Sequence, residues 1–136
     1  MVEMARRTHE PVPPATDRVA SLIVDAAMEV HRALGPGLLE SVYETCLAHA
    51  LGKRGVNVQR QVCLPIVYDD VRIDGGLRLD LLVDERVIVE LKAADAIEPI
   101  HTSQMLTYLK LSGLRLGLLM NFNVIMMKDG IHRVIL

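Results

Sequence analysis

Asp80, Glu90 and Lys92 are the residues of this chain whose types and spacing could do chemistry together. They lie in the stretch LRLDLLVDERVIVELK, Leu77 to Lys92, where two apolar runs flank a short acidic turn. In the first, Leu77, Leu79, Leu81 and Val83 alternate with Arg78, Asp80 and Leu82; in the second, Val87, Val89 and Leu91 alternate with Ile88, Glu90 and Lys92. Side chains of a strand point alternately to its two faces, so Glu90 shares a face with Lys92, and Asp80 with Arg78. If Asp84-Glu85-Arg86 form the turn, Val83 faces Val87, opposed residue numbers sum to 170, and Asp80 lies across from Glu90. A one-residue slip would drive a carboxylate among aliphatic side chains, at a cost of several kcal/mol.

Like charges directly opposed destabilise a sheet. A divalent cation between them reverses that penalty, and two carboxylates are a usual complement for Mg²⁺. The competing explanation is a solvated polar face on which Lys92 neutralises one acid, since half-exposed strands carry charges routinely.

The elements that must position this hairpin follow from periodicity. Residues 1–15 mix charge with prolines and read as a mobile N-terminal arm, followed by a single domain over 16–136. Thr16 or Asp17 can cap a first helix, whose apolar stripe is Val19, Leu22, Ile23, Ala26, Val30 and Leu34. His31 near its end suits the helix dipole, and the plainer reading is a surface histidine. Gly35-Pro36-Gly37 ends that helix. A second spans about Leu39 to Arg54, with apolar positions Leu39, Val42, Cys46 and Ala50 on one side and Glu40, Tyr43, Glu44 and Leu47 on another. Glu40 in its first turn either answers the helix dipole or projects toward the strand carboxylates as a third acid.

From Val56 to Tyr68 the chain alternates, with Val56, Val58, Val62, Leu64 and Ile66 on one face, interrupted by Arg60. Asp69-Asp70 is a hairpin turn, and Asp74-Gly75-Gly76 a bulge or bend before the Asp80 strand. After Lys92 a helix runs from about Pro99 to Leu111, placing Gln104 and Tyr108 on one face, one turn apart, with His101 three residues before Gln104. Taken alone, Tyr108 reads as an aromatic at the edge of the core. Leu114 to Met120 suits a fully buried strand. Val124 to Met127 open a last hairpin around Lys128-Asp129-Gly130 that Ile131 to Leu136 close. The order is α-α-β-β-β-α-β-β, an α/β domain with a mixed sheet.

Composition bounds the function. The 136 residues suffice for one core, and with no Trp, one Phe and three Tyr that core is aliphatic. Extensive base-stacking platforms are thereby excluded. A net charge of −2 and a pI near 6.2 argue against a protein that coats nucleic acid through a basic surface. An acidic metal site within a local basic rim, to which Arg78 and Lys110 would contribute, remains compatible. Cys46 and Cys63 fit neither a metal spacing nor a disulfide framework, so a reducing cytoplasm is the expected setting. The first fourteen residues contain no apolar stretch long enough for a signal peptide or a membrane span.

An acid in an early helix, a D-x9-E-x-K pair of strands and a helix carrying Q-x3-Y together resemble the PD-(D/E)XK nuclease superfamily. Gly37-Leu38-Leu39-Glu40-Ser41-Val42-Tyr43 is a G-x-x-E-x-x-Y motif, and with VIVELKA and NFNV it is similar to the GxxExxY protein family, over residues 17 to 136. The resemblance implies a restriction-endonuclease-like core, a mixed sheet of about five strands flanked by helices, in a nuclease dependent on Mg²⁺ or Mn²⁺. It implies metal-binding roles for Asp80 and Glu90, with Leu91 adding its backbone carbonyl, and a water-orienting role for Lys92. Glu40 corresponds to the helical acid of exonuclease-like members, placed to hold a bridging water or a second ion. Gln104 and Tyr108 correspond to their Q-x3-Y, positioning nucleophile or phosphate. One departure is Leu77, where an aromatic is expected in that family; it puts a surface or stacking contact in doubt and not the metal site. The implied partner is nucleic acid, DNA favoured, and so short a chain, with little surface for wrapping a duplex, favours a homodimer or an added partner. The rival reading is a catalytically silent module that keeps the fold and binds nucleic acid or protein.

Overall fold

The computed structural model describes residues 10–136; residues 1–9 of the expected N-terminal arm lie outside the described residues. Of the rest of that arm, Val12 is buried, and Arg115 Nη2 donates to the Glu10 carbonyl at 2.8 Å. Helix α1 (Pro14–Leu34) is capped by Pro13, three residues ahead of Thr16 and four ahead of Asp17, the expected caps, with proline inside its first turn. Then come α2 (Glu40–Lys53), β1 (Val58–Tyr68), β2 (Val71–Val83), β3 (Val87–Lys92), α3 (Pro99–Ser112), β4 (Leu116–Asn121) and β5 (Ile131–Ile135). The strands form one sheet in chain order, antiparallel except for the parallel β3–β4 pair that α3 connects. The expected order and mixed five-stranded sheet stand as read.

Two apolar layers hold the sheet. Val87, Val89 and Leu91 of β3 and Leu116, Leu118 and Met120 of β4 pack with α1 and α2, whereas Ile88 and Leu119 pack with Met105 and Leu109 of α3. Both faces of β3 and β4 are therefore covered, which is why β4 is buried from end to end. No helix among the described residues is long and apolar enough to cross a membrane.

Several details depart from the periodicities. The buried side of α2 carries Tyr43, Glu44, Leu47, Ala50 and Leu51, while Leu39 and Val42 are exposed and Cys46 is half-buried. Tyr43 wins that face because its hydroxyl is satisfied there: it donates to the Gly35 carbonyl at 2.6 Å and accepts from Leu38 N–H at 3.1 Å. Its ring stacks on Phe122, with centroids 4.5 Å apart. His31 is buried rather than superficial, and its Nε2 donates to the Val124 carbonyl at 2.8 Å. The segment 124–127 is not a strand: bends and a 3₁₀ turn, Met127–Gly130, lead from β4 to β5, so the last hairpin pairs β4 with β5.

The long β1–β2 hairpin turns at Asp69-Asp70, both in left-handed backbone, and bulges where Asp74–Gly76 oppose Pro65. Its faces change sides partway. Val58 packs with the α1–α2 layer but Val62, Leu64 and Ile66 with the α3 layer; Leu77 and Leu79 lie on the α3 side but Leu81 and Val83 on the other. The alternation, expected to be broken only by Arg60, thus changes face at Gln61 and Asp80, the one opposed pair missing between Arg60–Leu81 and Val62–Leu79. Gln61 has φ 51°, a left-handed value that residue type does not announce. Leu77, placed in the α3 layer and 4% exposed, is a core residue.

The close approach of the post-β4 turn gives a test. A Cβ on Gly130 would lie 2.0 Å from the backbone oxygen of Asn121, whereas one on Gly52 in α2 meets nothing within 4 Å. Urea denaturation should show Gly130→Ala destabilised by about 2–3 kcal/mol, and Gly52→Ala unchanged or stabilised by up to about 1 kcal/mol.

Candidate active site

The β2–β3 ladder pairs Val83 with Val87, Leu82 with Ile88 and Leu81 with Val89, the register summing to 170. At the next step side chains take over. Asp80 N–H donates to Glu90 Oε2 at 2.7 Å, and Leu91 N–H donates to Asp80 Oδ2 at 2.9 Å. Each carboxylate therefore satisfies a backbone donor of the other strand, and the two acids are interleaved where the ladder ends. Glu90 and Lys92 are in phase with Ile88 and lie on the α3 side of the sheet.

Burial makes this pair electrostatically unusual. Glu90 is 8% exposed, and loss of solvation lifts its pKa from the ordinary 4.5 to about 7. The Asp80 N–H favours its charged form, the Asp80 carboxylate opposes it, and Lys92 and Arg78 favour it more weakly. Half-buried Tyr108, from the second half of α3, lies within the field of both acids: desolvation, then Glu90, then Asp80 raise its pKa above the usual phenol value. A phenol carries its proton at neutral pH in any case, so the hydroxyl is available as a donor. Gln104 is exposed one turn earlier on α3.

Glu40 enters from the other layer. Sitting in the first turn of α2, it accepts from Ala93 N–H at 3.2 Å, which sets its carboxylate beside the residue following Lys92. The loop ahead of it is fixed by Tyr43 and by Gly37, whose φ of 98° is open to glycine at little cost. Buried Asn121 holds the other side of the site: Nδ2 donates to the Ala94 carbonyl at 2.9 Å, and Oδ1 accepts from the N–H groups of Ala94 at 3.2 Å and Asn123 at 3.1 Å. Phe122 N–H donates to the Lys92 carbonyl at 3.0 Å. The residues after Lys92 are thus clamped from α2 and from the end of β4.

Three side chains at this site escaped the sequence reading: Glu44, Arg60 and Gln61. Buried Glu44 accepts from Arg60 and from Gln61, and Gln61 also reaches toward Asp80. The signal for Arg60 was its interruption of an apolar alternation.

A cation is suited to this donor set. Asp80 and Glu90, held side by side with Glu90 buried, are oxygen donors of the kind Mg²⁺ and Mn²⁺ take. Among the described residues no three His, Cys, Asp or Glu side chains group as a ready-made metal cage, and Glu40 does not join the pair as a third member of one. Mg²⁺ commonly retains several waters and needs one or two protein carboxylates, which is what Asp80 and Glu90 offer.

A family model of the PD-(D/E)XK nuclease superfamily matches residues 17–134. No curated protein and no solved structure matches the chain significantly. The match spans most of the sequence, and the chain belongs to the PD-(D/E)XK nuclease superfamily.

The raised pKa of Glu90 has a measurable consequence. Between about pH 4.5 and 7 the folded chain holds a proton at Glu90 that the unfolded chain has lost, so this group's contribution falls as pH rises through that window and stays low above it. Glu90→Gln keeps the acceptor for Asp80 N–H and is never charged. In metal-free buffer it should be more stable than the parent at pH 8, by at most on the order of 3 kcal/mol, with the gap closing toward pH 5. Calorimetric melts across pH check this, and a variant less stable at pH 8 contradicts it.

Proposed function

We propose that this PD-(D/E)XK domain is a Mg²⁺- or Mn²⁺-dependent nuclease that hydrolyses phosphodiester bonds in nucleic acid, DNA favoured. The observation that carries the reading is the interleaved acid pair, with Glu90 buried at the end of a strand whose next in-phase residue is Lys92. Membership of a nuclease superfamily supports the reaction type.

Asp80 and Glu90 would hold the ion, with the Leu91 carbonyl as a third oxygen. When bound, the ion supplies direct stabilisation of negative charge on the phosphate oxygens. The protein supplies the rest. Lys92, half-buried on the same strand face as Glu90, orients the attacking water and favours its deprotonation through positive charge. Tyr108 donates to a phosphate oxygen, a role its retained proton permits. Gln104 positions the nucleophile or a neighbouring phosphate, and Glu40 holds a bridging water at the same end of β3. Arg78 contributes to the basic rim. Further likeness to the GxxExxY proteins rests on the motif itself. Two free cysteines support a cytoplasmic setting, and a homodimer would add surface for a duplex.

A second reading, a catalytically silent nucleic-acid- or protein-binding module, is favoured by the small size of the chain and its mildly acidic balance, a net charge of −2 and a pI near 6.2. Cleavage assays separate the two. On a panel of single- and double-stranded DNA with Mg²⁺, Glu90→Ala and Lys92→Ala should each lower the rate by at least about 100-fold while melting cooperatively. Equal cleavage by parent and variants rejects this site; no cleavage by the parent on DNA or RNA favours the silent module.

A further inference from the structure

Glu44 is, with Glu90, one of two buried carboxylates among the described residues, and the reaction above makes no use of it. Both its oxygens are engaged. Oε2 accepts from Arg60 Nε at 3.1 Å and Nη2 at 2.9 Å, and Oε1 accepts from Gln61 Nε2 at 2.5 Å. Arg60 balances its charge and donates further to Thr45 Oγ1 at 2.9 Å. A carboxylate so committed is an anchor rather than a metal ligand.

Gln61 connects that anchor to the acid pair. Its Nε2 lies 3.5 Å from Asp80 Oδ1 as well as against Glu44, and a primary amide nitrogen carries two N–H donors, one for each. The opposite amide orientation would aim a carbonyl at two carboxylates, so the chemistry fixes this one. Gln61 also holds a left-handed φ of 51°, a conformation that costs a non-glycine residue on the order of 1–3 kcal/mol and persists where surroundings impose it. It lies directly opposite Asp80, at the one point where both strands change face. The strained residue, its anchored amide and the acid form one unit.

We propose that Glu44 and Gln61 are positioning residues for Asp80: Glu44 pins the Gln61 amide, whose second N–H holds Oδ1 while Leu91 N–H holds Oδ2, so that the carboxylate is aimed before a cation arrives. This rests on the reading of Asp80 and Glu90 as the metal pair. Outer partners of this kind tune affinity through the orientation of the ligand they hold.

Titration calorimetry with Mn²⁺ on the full chain, paired with thermal melts, tests it. Gln61→Gly removes the amide and relieves the backbone, so its melting temperature should hold or rise while Mn²⁺ binding weakens roughly 10-fold. A purely structural role for Gln61 would not give weaker binding at unchanged stability. Glu44→Ala removes both acceptor oxygens, frees the Gln61 amide from its anchor and should weaken Mn²⁺ binding about as much as Gln61→Gly. Unaltered binding in Gln61→Gly overturns the positioning role and leaves the metal pair standing. Parent-like Mn²⁺ binding in Glu44→Ala also overturns the relay, because Gln61 would then hold Asp80 without its anchor. No Mn²⁺ binding by the parent overturns the metal pair and this inference together.

Discussion

Where β2 and β3 stop exchanging backbone hydrogen bonds, Asp80 and Glu90 each take a backbone N–H of the opposite strand. The site depends on this exchange. It closes the hairpin without leaving a buried donor unsatisfied, and it obliges two carboxylates to share a poorly solvated space. The same bonds that complete the fold therefore create the electrostatic tension that a cation would relieve. Burial first, and the Asp80 charge more weakly, lift the Glu90 pKa to about 7, so that a proton on Glu90 also relieves the tension.

Around that point the chain builds two supports that do not touch each other in sequence. From the α2 side, the G-x-x-E-x-x-Y motif acts as a mechanical unit: Tyr43 ties down the loop from Gly35 to Leu38, and Glu40 then reaches the Ala93 N–H. From β4, Asn121 and Phe122 hold Ala94 and Lys92 by their backbones. The Tyr43–Phe122 stack joins the two supports through the core. A motif that reads as two chemical residues and a glycine is, in space, mostly a clamp on the strand that carries Glu90 and Lys92.

Much of this was legible in the sequence. The Leu81–Val89 register follows from period-two alternation and a three-residue turn, because a slip would bury a charge. Element order, the α3 boundaries at Pro99 and Gly113 and the buried β4 follow from caps and an apolar run. The α2 face was not legible, because Tyr43 and Glu44 look polar until their partners, Gly35 and Arg60, are brought to them by tertiary folding. His31 was misread for the same reason, its acceptor being Val124. The face switch at Gln61 and Asp80 left only the break at Arg60 as a sequence signal: glutamine is an ordinary strand residue, and its left-handed φ goes with a contact from α2 that sequence does not show.

Crystals grown with Mn²⁺ and measured at its absorption edge examine the central claim most directly. An anomalous peak within coordination distance of both the Asp80 and Glu90 carboxylates, lost in Asp80→Asn, is the expected result. Mn²⁺ bound only elsewhere, or not at all while both acids stand ionised at high pH, would contradict it.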